Sequence, residues 1–417
     1  MQELISTEEK KEKFILVAVS ISNEKECGNS LDELEELVHT AGAEYVGRLI
    51  QNRERIHAVT YLGKGKLEEL KEMLLYTEAD GVICDDELSP AQLRNLEKVL
   101  ETKIVDRTML ILDIFAKRAN TGEGKIQVEL AQLKYAAVRL VGLRSSLSRL
   151  GGGIGTRGPG ESKLESDRRA IRERVSQLRS EIEKVESSRE TLRKHRMSDG
   201  IPVIAIVGYT NAGKSTFLNK ITDAGILAED KLFATLDPTT RNLKIPDGEE
   251  VLFTDTVGFI SKLPHNLVDA FKSTLEEAKY ADLILHVADA SNPEVDEQMK
   301  VVYRTLEELK VTGKPVITFL NKQDKLEEER IIKDIKADAV VKGSAKTGEG
   351  IDELLSKITE ILREGKVLID TVLSYADTSK ISVIRKKGQL LSEEYEGEGI
   401  KVKAYVPKAV AGQLGLL

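Results

Sequence analysis

The chain has 417 residues, which corresponds to two to four domains at about 150 residues per domain. With 41% hydrophobic and 32% charged residues it can bury sizeable cores, which excludes a disulfide-stabilised miniprotein, a fibre and a mostly disordered tail. Aromatic residues make up only 4% and tryptophan is absent, which argues against a protein built on aromatic stacking platforms for bases or sugars.

The net charge of −8 is unevenly distributed along the chain. Residues 1–116 carry 14 lysines and arginines against 24 acidic residues, and residues 117–196 carry 19 against 10. The net charges of these two segments are therefore −10 and +9, and the rest of the chain contributes a net charge of −7. One basic block in an acidic protein indicates either a local contact with a polyanion or a solvated helical linker.

Cys27 and Cys84 are far apart and form no C-x-x-C pattern, which indicates a reducing compartment and no thiolate metal site. The polar N-terminus lacks the apolar stretch of a signal peptide, and no uncharged apolar run reaches the ~18 residues that span a membrane. We therefore predict a cytoplasmic protein without a membrane span, and we expect a monomer.

The first segment alternates between strand-like and helix-like patterns. FILVAVSI at 14–21 predicts a strand, and leucines at helical spacing follow Ser30, which we predict as a helix N-cap. Later segments predict further strands and helices, namely AEYVGRLIQ, IHAVTYL, a helix near Lys64, GVICDD, SPAQLRNLEKVL and KIVDR. This alternation predicts a small α/β domain over residues 1–115. Within it, the Gly-Lys-Gly-Lys run at 63–66 is either an ordinary strand–helix turn or a second nucleotide site.

Residues 116–197 change to narrow heptad-like stripes. Apolar residues recur at 3-4-3 spacing from Leu130 and at 4-3-4-3 spacing from Ile171, which predicts two long helices. Between them lies GGGIGTRGPGES, a composition that no helix tolerates. We predict a basic antiparallel helical hairpin with a glycine-rich loop at its tip.

Strands and helices alternate again over residues 198–364. The strand-like segments IPVIAIVG, VLFTDT, LILHVADA, PVITFL and AVVKGSA predict a doubly wound, mostly parallel sheet, and Asp247-Gly248 predicts a hairpin turn. Residues 365–417 contain VLIDTVL and IKVKAYVP, which predict a small α+β domain. The predicted fold class is α/β. A doubly wound, mostly parallel domain is preceded by a small α/β domain and a helical hairpin, and it is followed by a small α+β domain at the C-terminus.

A phosphate-binding motif follows the strand IPVIAIVG. Residues 208–215, GYTNAGKS, fit G-x-x-x-x-G-K-[ST], and the helix-forming run TFLNKIT comes next. Backbone N–H groups of such a loop surround the phosphates, Lys214 reaches the β- and γ-phosphates, and the Ser215 hydroxyl ligates Mg²⁺. This pattern predicts a nucleotide phosphate site.

Three further motifs indicate the metal site and the base. Asp255-Thr-Val-Gly258 follows an apolar strand, so Asp255 is placed to hold Mg²⁺ through water and Gly258 to sense the γ-phosphate. Asn321-Lys-Gln-Asp324 ends another strand, and one carboxylate can accept both N–H donors of guanine, whereas adenine offers no such pair. Ser344-Ala345-Lys346 follows the next strand and is placed to close over the same base. The predicted ligands are GTP and GDP.

The order GYTNAGKS, DTVG, NKQD and SAK resembles translation-factor-class GTPases. FATLDPTTR at 233–241, GGGIGTRGPGES and QNRERIHAVTYLGKGKLEEL together resemble the HflX-type ribosome-associated GTPases. The resemblance implies GTP hydrolysis, binding to the large ribosomal subunit, and a role in splitting or rescuing stalled or idle ribosomes. It also implies that Thr235 is the second Mg²⁺ ligand and that Asn211 binds an activating K⁺.

The predicted catalytic residues are Lys214, Asn211, Thr235 and Gly258. Phe259 stands at the position where Ras-like enzymes carry a water-orienting glutamine, so we expect intrinsic GTP turnover to be slow. The predicted Mg²⁺ ligands are Ser215, Thr235 and Asp255. The predicted GTP-binding residues are Gly208, Tyr209, Thr210, Asn211, Ala212, Gly213, Lys214, Ser215, Thr216, Phe233, Ala234, Thr235, Asp255, Thr256, Val257, Gly258, Asn321, Lys322, Asp324, Ser344, Ala345 and Lys346.

The basic block supplies candidate RNA contacts. Arginine suits phosphate recognition, and a glycine-rich tip can approach a nucleic-acid backbone closely, although intervening acids are typical of a solvated helix face. The predicted RNA contacts are Arg149, Gly153, Arg157, Gly158, Arg168, Arg169 and Arg172.

Two other function classes fit parts of the pattern. One is a mainly structural RNA-binding assembly factor in which GTP only stabilises the fold, and it differs from a ribosome-gated GTPase in showing no stimulation of turnover by large subunits. The other is a P-loop ATPase or kinase, which requires the Asn321-Lys-Gln-Asp324 match to be accidental, and competition of labelled GTP by excess ATP would support it.

Overall fold

The computed structural model describes residues 11–21, 23–150, 159–199, 201–222, 232–233, 239–245, 250–262, 277–328, 330–397 and 399–416. The chain forms two compact units. Unit 1 comprises residues 1–182 and 261–271, and unit 2 comprises residues 183–260 and 272–417. No helix in these described ranges is long and apolar enough to cross a membrane.

Unit 1 contains a four-stranded parallel sheet of order β2-β1-β3-β4, built from β1 (Lys13–Ser20), β2 (Glu44–Asn52), β3 (Gly81–Cys84) and β4 (Lys103–Asp106). Every residue from Phe14 to Ser20 is buried, because helices cover both faces of this central strand, as is usual in parallel sheets. The helices are α1 (Glu24–Ala41), α2 (Lys64–Thr77), α3 (Pro90–Leu100) and α4 (Arg107–Arg118). The predicted N-terminal α/β architecture is therefore present.

Two local predictions in unit 1 are wrong. Helix α1 begins after Asn23, whose side chain accepts a hydrogen bond from the Lys25 N–H, so Ser30 lies inside the helix and is not its N-cap. The segment IHAVTYL at 56–62 forms no strand, because the His57 ring nitrogen Nδ1 accepts from the Thr60 N–H at 3.2 Å and closes a tight turn. Only one isolated bridge, between His57 and Tyr61, remains of the expected extended pairing.

Two long helices follow, α5 (Gly122–Leu150) and α6 (Pro159–Asp199). Arg174 of α6 donates two hydrogen bonds to the carboxylate of Glu129 in α5, at 2.7 and 2.9 Å, so the helices pack side by side as the heptad-like stripes predict. Helix α5 is anchored on the sheet at Asp106, which accepts hydrogen bonds from Tyr135 Oη at 2.5 Å and from Arg139 Nη2 at 2.7 Å.

Unit 2 is built on a six-stranded sheet of order β10-β9-β8-β5-β7-β6. Its strands are parallel except for the antiparallel edge strand, and they are β5 (Val203–Gly208), β6 (Thr239–Lys244), β7 (Glu250–Asp255), β8 (Leu283–Asp289), β9 (Val316–Asn321) and β10 (Ala339–Lys342). The helices of this layer are α7 (Lys214–Thr222), α8 (Glu277–Tyr280), α9 (Val295–Glu308) and α10 (Ile351–Arg363). Strands β6 and β7 pair as the predicted hairpin, while Asp247 and Gly248 lie outside the described residues.

The C-terminal part of unit 2 is a three-stranded antiparallel sheet of order β11-β13-β12 with two short helices. Its elements are β11 (Lys366–Leu373), α11 (Thr378–Lys387), β12 (Gln389–Glu396), β13 (Gly399–Pro407) and α12 (Lys408–Leu414). Two of its strands, β11 and β13, match the predicted ones, and β12 is an additional strand. The predicted α/β fold class is confirmed, since a mostly parallel six-stranded sheet forms the centre of unit 2 and a parallel four-stranded sheet forms that of unit 1.

Candidate guanine-nucleotide site

The phosphate loop connects β5 to α7 in unit 2. Two of its glycines are required by the close approach of neighbouring strands, because a Cβ on Gly208 would lie 2.2 Å from Val287 O and one on Gly213 would lie 2.2 Å from Asn321 Nδ2. Gly213 and Asn211 adopt positive φ angles of 94° and 59°, which fold the loop tightly over the end of α7. The loop therefore presents its backbone N–H groups at the helix N-terminus, an arrangement suited to anions.

Lys214 lies beneath this loop and is 6% exposed. Its Nζ donates hydrogen bonds to the carbonyl oxygens of Gly208 at 3.1 Å and Tyr209 at 2.8 Å. Burial lowers the pKa of the Lys214 ammonium to about 8, while the Asp255 carboxylate opposes this shift. A phosphate group placed in the loop would favour the charged ammonium in the same way.

The predicted metal ligands Ser215 and Asp255 are adjacent. Ser215 Oγ donates to Asp255 Oδ2 at 3.0 Å, and Asp255 is fully buried at the end of β7. The described ranges contain no group of three or more histidine, cysteine or acidic side chains that could hold a metal ion by itself. A donor set of one hydroxyl and one carboxylate fits Mg²⁺, which keeps several waters and takes phosphate oxygens as its remaining ligands.

The Asp255–Gly258 segment lies directly on the phosphate loop. Thr210 N–H donates to Phe259 O at 2.7 Å, and Phe259 N–H donates to Gly208 O at 3.1 Å, which forms a short parallel bridge. Thr256 Oγ1 donates to Ile206 O at 2.8 Å and fixes the strand end. The segment predicted to sense the γ-phosphate is therefore bonded through its backbone to the loop that would hold the phosphates.

The predicted base-binding residues surround a cavity of about 380 Å³, which is within the range of small-molecule sites. Asn321 connects its walls, since its Nδ2 donates to Ala212 O at 2.8 Å and its Oδ1 accepts from the Ala345 N–H at 2.8 Å. Asp324 accepts a hydrogen bond from Ser344 Oγ at 2.6 Å. The lining residues are Asn211, Gly213, Thr216, Asn321, Lys322, Asp324, Lys325, Ser344, Ala345 and Lys346.

The residue that pairs with Lys322 at this cavity was not predicted from the sequence. Lys322 Nζ lies 2.7 Å from Asp289 Oδ2, and both side chains are about 15% exposed. Asp289 Oδ1 accepts from both the N–H and the hydroxyl of Ser291, which fixes the carboxylate. The only available signal was the position of Asp289 at the carboxyl end of β8, where ligand-binding residues of such sheets gather.

The remaining predicted residues are placed as follows. Tyr209, Phe233 and Val257 are buried, and Phe233 has a positive φ of 56°. Ala234 and Thr235 lie outside the described residues, so the second predicted Mg²⁺ ligand has no described position.

Four of the seven predicted RNA contacts lie on the two long helices. Arg149 is in α5, Arg168, Arg169 and Arg172 are in α6, and Gly153, Arg157 and Gly158 lie outside the described residues. Arg169 and Arg172 pair with Glu173 at 2.9 Å and Glu165 at 3.7 Å on an exposed face. Such exposed pairs contribute little to stability, so they leave these guanidinium groups accessible to a polyanion.

Comparison with known proteins finds matches to GTPase family models in three consecutive parts of the chain. Family models match residues 28–116 (GTP-binding GTPase N-terminal), 118–196 (GTP-binding GTPase Middle Region) and 203–322 (50S ribosome-binding GTPase). The chain is 62% identical to a GTPase HflX of Lacrimispora saccharolytica, an alignment that covers 99% of this chain and 98% of the relative.

Two further relatives are also described as GTPase HflX. The one from Caldanaerobacter subterraneus is 52% identical, over 95% of this chain and 91% of the relative. The one from Escherichia coli is 47% identical, over 84% and 83%. With identities of this size over most of its length, this chain belongs to the HflX family of GTPases.

Proposed function

We propose that this chain binds the large ribosomal subunit and uses its GTPase cycle to split or rescue stalled or idle ribosomes. The observation that carries the proposal is the match of residues 203–322 to a GTPase family described as binding the 50S ribosome. The +9 balance of residues 117–196 supports it, because rRNA is a polyanion. In this proposal the nucleotide state controls ribosome binding, and the protein acts as a monomer in the cytoplasm.

Mg²⁺ belongs to this proposal together with its ligands. Ser215 and Asp255 would hold it, with Thr235 as the second hydroxyl ligand. The metal supplies charge neutralisation between the β- and γ-phosphates when it is bound. The chain's own part is to fix the phosphates through the loop N–H groups and Lys214 and to place the Gly258 N–H at the γ-phosphate.

Hydrolysis without a glutamine is expected to be slow. Phe259 is 2% exposed and cannot orient water, and both its backbone groups are bonded to the phosphate loop. We propose that Asn211, which lines the nucleotide cavity, binds K⁺ and so supplies positive charge near the phosphates. Contact with the ribosome is proposed to raise the rate further by completing the site.

The helical hairpin is the proposed RNA-binding part. Arg169 and Arg172 have side chains that are 80% and 71% exposed, which suits contact with backbone phosphates. The chain is poor in aromatic residues, so we expect recognition by shape and phosphate rather than by base stacking. Deleting 151–160 should leave basal turnover unchanged and remove stimulation by large subunits.

The decisive experiment is GTP turnover with and without purified large ribosomal subunits, in K⁺ and in Na⁺. We expect a many-fold increase with subunits and a higher rate in K⁺. If large subunits leave turnover unchanged, the structural RNA-binding role is favoured. The observation that supports this second role is the basic charge of the helical hairpin. An equal rate in Na⁺ would refute the role of K⁺. It would not affect the ribosome proposal, which is tested by comparing turnover with and without large subunits.

A further inference from the structure

The hydroxyl of Thr210 is the feature of the nucleotide site that the motifs do not explain. Thr210 is 6% exposed, and its Oγ1 has no hydrogen-bond partner among the residues that the structure describes. Most buried hydroxyls in native proteins are hydrogen-bonded, and a catalytic role is one of the explanations for an exception. The backbone of Thr210 is fixed by its N–H bond to Phe259 O, so the side chain is held in place.

This side chain lies where the phosphate loop meets the γ-phosphate sensor. A methyl group built on Gly258 would lie 2.9 Å from Thr210 Cα, 2.9 Å from Thr210 Cγ2 and 3.0 Å from Lys214 Nζ. Three residues therefore converge on one small volume. Since Lys214 and Gly258 both address the γ-phosphate in P-loop GTPases, Thr210 stands at the γ end of the nucleotide.

The residue that follows the γ-phosphate sensor cannot orient water through its side chain. Phe259 follows Gly258, and its ring offers neither a donor nor an acceptor. Its N–H and C=O are both used in bonds to Gly208 and Thr210. A hydroxyl, in contrast, can donate one hydrogen bond and accept another at the same time.

We propose that Thr210 is a catalytic residue that positions the attacking water on the γ-phosphate. Its Oγ1 accepts a hydrogen bond from the water and donates its own proton in a hydrogen bond to a γ-phosphate oxygen. The water oxygen bonds to the γ-phosphorus, the bond from that phosphorus to the bridging oxygen breaks, and GDP leaves with the electron pair. The water proton ends on the inorganic phosphate, and Thr210 is unchanged. The proposal rests on the assignment of Gly208–Ser215 to the phosphates.

The test uses the full chain and two complementary substitutions. Thr210→Val keeps the shape and removes the hydroxyl, whereas Thr210→Ser keeps the hydroxyl and removes the methyl group. Single-turnover GTP cleavage is measured with Mg²⁺ and K⁺, and the GDP dissociation constant is measured for each variant. We expect Thr210→Val to slow cleavage about tenfold, as the loss of one hydrogen bond to the reacting groups predicts, and Thr210→Ser to stay within about threefold of the parent. GDP affinity should change by less than about twofold in both.

Three outcomes would overturn the proposal: an unchanged cleavage rate in Thr210→Val, an equal loss in both variants, or a cleavage defect matched by an equal loss of GDP affinity. The thermal midpoint of Thr210→Val without nucleotide should not fall, because the hydroxyl makes no bond there. A Lys214→Ala variant tests the phosphate-loop assignment separately from the role of Thr210. Unchanged GDP affinity in that variant would refute the phosphate-loop assignment itself.

Discussion

The ammonium of Lys322 lies 2.7 Å from the carboxylate of Asp289, and Lys322 lines the cavity proposed for guanine. The pair depends on strand register, because Asp289 at the end of β8 lies opposite Asn321 at the end of β9. Ala290 N–H also donates to Asn321 O at 2.9 Å. Asp289 therefore determines where the lysine of the guanine-binding motif stands.

Replacing Asp289 with Asn should weaken GDP binding. The substitution removes one charge from a largely buried pair, and a hydrogen bond to a charged group contributes about 1.5 kcal/mol, so we expect an increase of about tenfold in the GDP dissociation constant. Stopped-flow release of a fluorescent GDP should show a faster off-rate. Asp296→Asn, at an exposed acid in the first turn of α9, is the matched control and should leave release unchanged. Equal release from the two variants would contradict the role of Asp289.

Asp324→Asn should exchange guanine for xanthine specificity. The carboxylate accepts from two donors of guanine, and loss of these charge-assisted bonds should weaken GDP binding by about 3 kcal/mol, or more than a hundredfold. The new amide offers a donor to the additional carbonyl of xanthosine diphosphate, which should bind the variant more tightly than GDP does. Ser344 can still donate to the remaining oxygen, so the loop should stay closed. Competition of labelled GDP with both unlabelled nucleotides, for parent and variant, measures the exchange, and unaltered preference for GDP would refute the base assignment.

Lys262 should stabilise unit 1 through a buried carboxylate. Its Nζ pairs with Asp85, whose side chain is 1% exposed, and lies 2.9 Å from Asp86 Oδ1. Burial raises the pKa of Asp85, and the Lys262 ammonium opposes that rise. Lys262→Met should therefore leave a buried charge with fewer partners and lower the free energy of unfolding by about 1–3 kcal/mol.

Chemical denaturation, monitored by hydrogen exchange of peptides from unit 1, measures this change in the free energy of unfolding. The matched control is Lys66→Met, which removes an exposed pair with Glu69 and should cost less than about 1 kcal/mol. A Lys262 variant as stable as the control would show that the pair contributes nothing.

Asp106 should be the anchor of α5. Its carboxylate is fully buried and accepts four hydrogen bonds, from the N–H groups of Leu88 and Met109 and from the side chains of Tyr135 and Arg139. Asp106→Asn replaces one acceptor with a donor that faces other donors, so we expect a loss of about 3 kcal/mol in unfolding free energy.

Amide exchange should rise first around Tyr135, because the anchor of the helix on the sheet is lost. Tyr135→Phe removes a single bond and should cost about 1 kcal/mol, while Asp113→Asn on the exposed side of α4 should cost less than about 0.5 kcal/mol. Equal stability of the Asp106 and Asp113 variants would contradict the anchor.

The structure brings the predicted phosphate residues together, and likewise the predicted base residues, because each motif is local in the sequence. Gly208 to Ser215 form one loop, and Asp324 stands three residues from Asn321. Their roles in binding a nucleotide stay predictions. The Asp289–Lys322 pair depends instead on the alignment of two strands separated along the chain by α9. No local pattern specifies such an alignment.

The wrong local predictions have a similar origin. Alternating apolar residues at 56–62 suggest a strand, but a ring nitrogen of His57 competes successfully for the Thr60 N–H and turns the chain. Strand β12 was missed because its sequence, QLLSEEYE, is mostly polar and pairs on one edge with β13 alone. In both places a tertiary or side-chain contact outweighs propensity.

The carboxamide of Asn321 bonds at the same time to Ala212 in the phosphate loop and to Ala345 in the loop that closes on the base. Each loop is thus held in its binding geometry partly by the other. The two halves of a nucleotide should therefore bind with positive cooperativity, each half reducing the ordering cost of the other. We therefore expect concerted release, because departure of the guanine would also loosen the loop around the phosphates, and we expect little affinity for guanosine or pyrophosphate alone.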